Sequence, residues 1–346
     1  MEKNKFTMSQ APSKTLLLIV GMHRSGTSAL TRLVNLLGCD LGPELLPARA
    51  DDNETGFWEH RALNLLHEEI LCVLNKWWAD FRPMPAGWTE RPDMRAYAQR
   101  MAAMVAEDFG DAPLVAIKDP RVSRLLPLWR EVAAETGHDL RVALIVRHPA
   151  EVSESLRRRD GLTLAHGALL WMRYLLDSER ESRGLPRAAT TYDRLLGDWR
   201  QAVDDLGRGT GITWPVAADT IAPQVDAFLR DDLRHHGQSA LDPAVVAGAD
   251  FHQHLFGHFV QSAGRGDGFP APAALDVAAD RIELAMAMIE PWLREQDHEL
   301  AVLRQLLSDK PAHAQAVHAE VTRLRQALES TEAHLQRATS DVAENP

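Results

Sequence analysis

The stretch LLLIVGMHRSGTSALTRLV, residues 16–34, decides the fold. It begins within an apolar run, 15–20, which is followed by Gly21 and then by a helical pattern. A continuous apolar run of this length is typical of a strand buried on both faces. The apolar residues that follow recur at helical spacing until Gly38, a favourable residue for ending a helix. The sequence therefore predicts a buried strand, a glycine-containing loop and a helix, and backbone amides at such a helix N-terminus form a cradle for an anion.

The loop, residues 21–28 with the sequence GMHRSGTS, is close to the Walker A pattern G-x-x-x-x-G-K-[ST]. Both glycines and the final hydroxyl are present, but Thr27 occupies the lysine position. Arg24 places a guanidinium inside the loop, suited to a bidentate contact with an oxyanion. We find no convincing Walker B strand that ends in an aspartate. The pattern indicates a phosphate-binding loop without the usual lysine, and a tight turn without a ligand is the alternative interpretation.

Composition narrows the class of protein. The chain has 346 residues, of which 45% are hydrophobic and 25% charged, as in an ordinary globular protein. Its net charge of -11 argues against a nucleic-acid-binding protein, so any basic site must be local. Two cysteines, Cys39 and Cys72, form no disulfide framework, and no apolar run is long enough to span a bilayer. These features predict a cytoplasmic protein.

Alternating strand and helix patterns predict the fold class. Further strands are expected at 114–117, at 142–146 and, more weakly, at 188–192. The predicted helices cover residues 62–77, 93–109, 122–135, 164–183 and 195–206. This order predicts an α/β fold, a P-loop NTPase-like parallel sheet flanked by helices with a helical C-terminal extension. Ligands of such sheets bind beyond the carboxyl ends of the strands, so the residues that follow each strand are candidates for the site.

The predicted domain organisation has four parts. Residues 1–14 form a flexible N-terminus, 15–236 the α/β domain, 237–310 a helical extension, and 311–346 a C-terminal helix. In that last helix a short a/d seam is formed by Val317, Val321, Leu324, Leu328 and Leu335. The seam either packs on the protein's own domain or associates with a second copy, which would make the protein a homo-oligomer.

Two basic motifs follow predicted strands. Lys118, in the segment IKDPR, would place a cation at the ligand end of the sheet; a surface loop with a salt bridge is the alternative. Arg147 follows the next strand, and Ser155 lies about two helical turns further on, so the two could converge on a second phosphate. The run from Arg157 to Arg159 extends this positive patch, or forms a solvated helix face.

A carboxylate and an imidazole, Glu59 and His60, precede an amphipathic helix in the segment GFWEHRALNLL. Either could be a general base that accepts a proton from a substrate hydroxyl. Alternatively, Glu59 only stabilises the helix N-terminus through the helix dipole. The fifteen histidines form no metal-binding motif, so no metal site is predicted.

Together these motifs resemble the nucleotide-dependent sulfotransferases, which use 3′-phosphoadenosine-5′-phosphosulfate (PAPS) as sulfuryl donor. The loop segment RSGTS, residues 24–28, is similar to the 5′-phosphosulfate loop of the tyrosylprotein sulfotransferases. Arg147, Pro149 and Ser155 have the spacing of the family's 3′-phosphate motif. In bacterial sulfotransferase-family proteins similar segments recur in the order seen here, GFWE, KDPR, RHPAEVSESLRRRDG, LW and YDRLLGDW. The resemblance covers about residues 16–206.

The resemblance implies a sulfotransferase that moves a sulfuryl group from PAPS to an acceptor hydroxyl, on a carbohydrate or glycoconjugate. The product would be 3′,5′-adenosine bisphosphate, and no metal would be required. The cytosolic small-molecule branch uses a loop lysine and a histidine base, and neither is clearly matched here. A P-loop kinase or NTPase-like protein, or a non-catalytic nucleotide-binding scaffold, is the alternative.

The resemblance also implies roles for individual residues. Arg147 and Ser155 would hold the 3′-phosphate, and Glu59 or His60 would be the base. Lys118 and Arg24 would stabilise the transferring sulfuryl group. The donor-binding loop would consist of His23, Arg24, Ser25, Gly26, Thr27 and Ser28.

Overall fold

A computed structural model describes residues 14–49, 56–229, 242, 244–246, 248–309, 321–333 and 335, and only the backbone for 304–309. Its strands are β1 (Lys14–Val20), β2 (Leu114–Lys118), β3 (His138–Val146) and β4 (Arg187–Thr191). They form a parallel sheet in the order β2-β1-β3-β4. The parallel sheet flanked by helices confirms the predicted fold class.

Helices connect the strands and continue beyond them. Their bounds are α1 Thr27–Leu36, α2 Arg61–Val73, α3 Pro92–Phe109, α4 Val122–Thr136, α5 Pro149–Asp160, α6 Leu164–Ser182, α7 Tyr192–Gly197, α8 Trp199–Thr210, α9 Ala218–Phe228, α10 Ala249–Ser262 and α11 Pro272–Asp309, with a 3-10 turn at Trp88–Glu90. Each helix predicted in the α/β domain exists, but two boundaries differ. The helix predicted at 62–77 ends at Val73, because Asn75 adopts a left-handed backbone with φ 54°. The helix predicted at 195–206 is two helices, because Asp198 leaves the helical conformation and its side chain caps α8.

Helices cover both faces of the sheet. Alternate residues of β1 point to opposite faces, as the pleat of a strand requires. Leu16 and Leu18 pack in one hydrophobic cluster with residues of α2 to α6, and Leu17 and Ile19 pack in the other with residues of α1 and α8. The complete burial of residues 16–20 of β1 between the two clusters explains their unbroken apolar sequence.

The first part of the C-terminal extension shares the core of the α/β domain. Phe256 and Phe259 of α10 and Leu275 of α11 belong to the same hydrophobic cluster as β1. Further on, the described residues 321–333 are helical, and Val321, Leu324, Leu328 and Leu335 of the predicted seam are half-buried. Val317, the remaining seam residue, and residues 1–13 of the predicted flexible N-terminus lie outside the described residues. The domain bounds and the self-association stay predictions.

Candidate functional site

The candidate site lies at the carboxyl edge of the sheet, where the loops after parallel strands meet. There Arg24 Nε donates to Ser155 Oγ at 2.7 Å, and Lys118 Nζ donates to Ser28 Oγ at 3.2 Å. Arg147 Nη1 donates to the main-chain oxygen of Arg24 at 3.3 Å. Three motifs that are far apart in the sequence, the loop 21–28, Lys118 and the Arg147–Ser155 pair, therefore form one connected cluster.

Backbone geometry explains both glycines of the loop 21–28, which we call the phosphate loop after its predicted ligand. Gly21 and Gly26 have φ values of 147° and 90°, and a Cβ on Gly26 would lie 2.3 Å from the ring of Tyr192. Gly26 is also the N-cap of α1, and no side chain caps that helix. The first amides of α1 have no intrahelical acceptor, so they are suited to binding an anion. Thr27 and Ser25 are buried within this loop.

Lys118 brings to the loop the positive charge that Thr27 does not carry. Its ammonium donates to Ser28 Oγ, to the main-chain oxygen of Phe57 at 2.9 Å and to Glu59 Oε1 at 2.5 Å. The side chain is only 3% exposed, so the charge is fixed in place by these contacts. A lysine from the neighbouring strand end thus lies beside the hydroxyl that closes the loop.

Glu59 continues this contact into a buried polar chain. Asn64 Nδ2 donates to Glu59 Oε2 at 2.6 Å and to Asp119 Oδ2 at 3.2 Å. The same Asp119 oxygen lies 2.9 Å from His67 Nδ1, and Trp129 Nε1 donates to His67 Nε2 at 3.2 Å. Because Nε2 accepts from Trp129, the proton of a neutral His67 lies on Nδ1 and is donated to Asp119. Asn64 and His67 were missed by sequence reasoning; their spacing of three places them on the same face of α2.

The two carboxyl groups of this chain differ in their ionisation. Burial raises the pKa of the Glu59 carboxyl, against the opposing charge of Lys118. Burial also acts against the charge of Asp119, but Arg121 and the hydrogen bond from His67 hold the pKa of Asp119 well below its usual range. Asp119 is thus a fixed anion, whereas the proton affinity of Glu59 is increased.

His60 lies on a different side of its segment from Glu59. Its Nδ1 accepts from the backbone amide of Leu63 at 3.3 Å and thereby caps α2, and its Nε2 lies 3.1 Å from Asp108 of α3. The ring packs against Phe109 with centroids 5.6 Å apart. The structure therefore brings Glu59 to the lysine and directs His60 toward α3. Which of the two is the base stays a prediction.

Arg147 has free hydrogen-bonding capacity within a buried setting. Its guanidinium lies 4.5 Å from the ring centre of Tyr192, and its Nε donates to Glu151 Oε2 at 2.7 Å. Among the described residues, the buried Nη2 has no hydrogen-bond partner. A buried, unpaired donor is costly, and a phosphate oxygen would satisfy it. With the uncapped α1 amides, this atom makes the residues present fit a ligand that has two anionic groups.

The arginine run after Ser155 divides into two parts. Arg157 and Arg158 are exposed and pair with Glu154, as the solvated-face interpretation predicts. Arg159 is less exposed, and its guanidinium lies 5.3 Å from the ring centre of Trp78. Only Arg159 of the three is therefore placed against an aromatic side chain near the loop.

His23, in the middle of the phosphate loop, packs against aromatic side chains. Its ring centroid is 4.8 Å from that of Trp78 and 6.0 Å from that of Tyr174. Burial, reinforced by the charge of Arg121, lowers the pKa of His23 well below its usual value of 6.5, so the ring is neutral at pH 7.

No group of three or more His, Cys, Asp or Glu side chains is arranged to hold a metal ion in the part of the chain that the structure describes. Nor is any helix within it long and apolar enough to cross a membrane.

Comparison with known proteins gave matches among solved structures alone, since no family model and no curated protein matches the chain. The sulfotransferase domain from the curacin biosynthetic pathway is 14% identical, with a TM-score of 0.44 over 71% of this chain and 99% of that domain. The sulfotransferase domain from the Synechococcus PCC 7002 olefin synthase is 17% identical, with a TM-score of 0.37 over 72% of this chain and 96% of that domain. Values this low leave the roles of individual residues to the contacts within this chain.

Proposed function

We propose that this protein is a sulfotransferase that moves a sulfuryl group from PAPS to the hydroxyl of an acceptor. The observation that carries the proposal is that Arg24 links the loop 21–28 to Ser155 and Arg147. The Arg24 side chain donates to Ser155, and its main-chain oxygen accepts from Arg147. The phosphate loop and the Arg147 site are thereby held beside each other. A nucleotide with a 3′-phosphate would use both sites, whereas a triphosphate would need only the first.

Each residue near the loop has a role in this proposal. The α1 amides, with Thr27 and Ser28, hold the 5′-phosphate, and Arg147 and Ser155 hold the 3′-phosphate. His23, Ser25 and Gly26 complete the loop. Arg24 and Lys118 neutralise charge on the sulfuryl oxygens and on the bridging oxygen. Such fixed donors lower the barrier because they are already oriented when charge develops.

The transfer needs a group that takes up a proton. The acceptor oxygen forms a bond to sulfur, the bond from sulfur to the 5′-phosphate oxygen breaks, and the hydroxyl proton passes to the protein. We assign that proton to Glu59, because it contacts Lys118 beside the loop and its pKa is raised toward the range that suits a general base. His60 is the competing base, but its two nitrogens lie against Leu63 and Asp108. No metal ion is required by this chemistry.

Three further parts of the proposal rest on the sequence alone. They are a carbohydrate or glycoconjugate acceptor, a cytoplasmic location, and self-association through residues 311–346.

Thermal-shift measurements with two nucleotides test the proposal. The sulfotransferase assignment predicts that 3′,5′-adenosine bisphosphate raises the melting temperature and that ATP with Mg²⁺ does so much less. Stabilisation by ATP and Mg²⁺ alone would overturn it in favour of a kinase or NTPase.

A further inference from the structure

A second loop lies against the phosphate loop. We call residues 75–82, with the sequence NKWWADFR, the tryptophan loop. It begins where Asn75 ends α2 with its left-handed backbone. Trp77 is 52% exposed and meets Trp78 edge to face, with ring centroids 5.7 Å apart. Trp78 in turn contacts His23 of the phosphate loop. An aromatic surface of Trp77, Trp78 and His23 therefore extends from the loop to solvent.

Side chains from other elements fix the backbone of the tryptophan loop. Five consecutive main-chain oxygens, those of residues 78–82, each accept a hydrogen bond from a side chain of α4 or α6. Tyr174 donates to Trp78 O at 2.6 Å, His166 Nε2 to Ala79 O at 2.7 Å, Arg124 to Asp80 O and Arg82 O at 2.7 Å each, and Arg173 to Phe81 O at 3.0 Å. So many contacts to one short segment hold it in one conformation, which is the arrangement expected of a binding surface built in advance.

The aromatic surface also carries a polar atom without a partner. Among the residues that the structure describes, the buried Nε2 of His23 makes no hydrogen bond. A neutral imidazole nitrogen can bond to a hydroxyl either as donor or as acceptor. This atom belongs to the loop that holds the transferring group in the proposed function. Of the three side chains in the aromatic surface, that of His23 is therefore the one placed to meet a reacting hydroxyl.

We propose that Trp77, Trp78 and His23 form the acceptor subsite, and that it takes a hydroxyl carried on a ring with an apolar face, either a pyranose sugar or a phenol. The ring lies against the tryptophans, and its hydroxyl bonds to Nε2 of His23. This inference rests on the proposed function and adds to it the residues that bind the ring of the acceptor. Acyclic polyols offer the same hydroxyl without a ring face, so they bind more weakly.

Binding of simple probes to the full-length protein, saturated with 3′,5′-adenosine bisphosphate, tests this subsite. The probes are methyl β-D-glucopyranoside, 4-nitrophenol and the acyclic polyol sorbitol, each measured by saturation-transfer NMR and calorimetry. At least one ring compound binds more tightly than sorbitol, and the arm that binds distinguishes a sugar from a phenol. Equal binding of sorbitol, or no binding of either ring compound, overturns the proposal.

Substitution of the exposed tryptophan gives a second readout that does not depend on folding of the core. W77S lowers the affinity for the ring compound about two- to tenfold, the range expected for loss of one aromatic contact. The matched control is W292L, which changes a half-buried tryptophan of α11 and leaves ring binding unchanged. Unchanged ring binding in W77S contradicts the subsite. The bisphosphate still stabilises W77S and W292L. If it does not stabilise the wild type, that result contradicts the proposed function instead.

Discussion

The phosphate loop and the tryptophan loop lie side by side, yet different parts of the chain hold them in shape. Gly21 and Gly26, within the phosphate loop itself, supply the left-handed backbone that its turn needs. The tryptophan loop is held by Tyr174, His166 and the arginines of α4 and α6, and these contacts span 42 to 96 residues of the chain. The first loop is thus specified locally, and the second by tertiary contacts.

This difference also separates their proposed tasks. Changes in the phosphate loop should affect donor binding and stability together, because the loop is part of the sheet edge. Substitution of the side chains that hold the tryptophan loop should weaken acceptor binding and leave donor binding unchanged. Glu59 contacts Lys118 beside the phosphate loop. Its substitution should leave donor binding and acceptor binding unchanged and slow only the transfer step.

The largest expected effect is on transfer in E59Q. Loss of the proposed base should lower the turnover number about 10²- to 10⁴-fold, whereas affinity for 3′,5′-adenosine bisphosphate stays the same. Turnover is measured as labelled sulfate transferred from PAPS to the ring compound that binds the wild type. The control is H60N, whose amide oxygen can still cap α2 and which should keep its turnover. Undiminished turnover in E59Q would move the base elsewhere.

Substitution G26A should strongly destabilise the phosphate loop. The new Cβ would lie 2.3 Å from the Tyr192 ring at a φ of 90°, so both crowding and backbone strain contribute. We expect the free energy of unfolding to fall by about 3 kcal/mol, with loss of bisphosphate binding. The control G137A has φ 70° but open space around it, so it should cost only about 1 kcal/mol. If urea denaturation gives equal losses of unfolding free energy for G26A and G137A, the close approach of Tyr192 does not contribute.

Substitution Y174F should loosen the tryptophan loop with little effect on the phosphate loop. It removes the hydrogen bond to Trp78 O and keeps the ring that packs beside His23. We expect the free energy of unfolding to fall by about 1 kcal/mol and the ring compound to bind several-fold more weakly. Stabilisation by the bisphosphate should not change. An equal weakening of both ligands would show that the two loops are not separate in function.

The smallest expected effect is on the pH dependence of stability in H23Q. His23 has a lowered pKa in the folded protein, and its usual value of 6.5 applies to the unfolded chain. Below about pH 6.5 the unfolded chain therefore takes up a proton that the folded protein does not, and stability falls as the pH falls. In H23Q this contribution is absent, so the unfolding free energy should fall less between about pH 7 and 5 than it does in the wild type. Parallel curves for the two proteins would contradict a buried neutral His23.

The parts of the fold that could be predicted from sequence are those with local causes. The apolar run of β1 and the glycines after it indicated the strand, the loop and the helix, because burial and left-handed backbone leave a local signature. The end of α2 was predicted too late, since the helical pattern continues past Asn75, and the left-handed backbone of Asn75 that ends the helix is known only from the structure.

The site was predictable to a similar degree. Strand ends brought Lys118 and Arg147 to the loop because the strands are parallel. The sequence could not distinguish Glu59 from His60, since neighbouring residues in extended backbone point to opposite sides and the direction of each depends on distant partners. Those partners, Lys118 for Glu59 and Asp108 for His60, are known only from the structure.

The central claim is that Arg147 forms a second anion site, specific for the 3′-phosphate, beside the phosphate loop. Calorimetry of the wild type and R147A with 3′,5′-adenosine bisphosphate and with 5′-AMP tests it most directly. The account predicts that R147A lowers the affinity for the bisphosphate about ten- to 100-fold and the affinity for 5′-AMP hardly at all. Only the bisphosphate has a 3′-phosphate that pairs with the guanidinium of the wild type. Equal losses for the two nucleotides would contradict it.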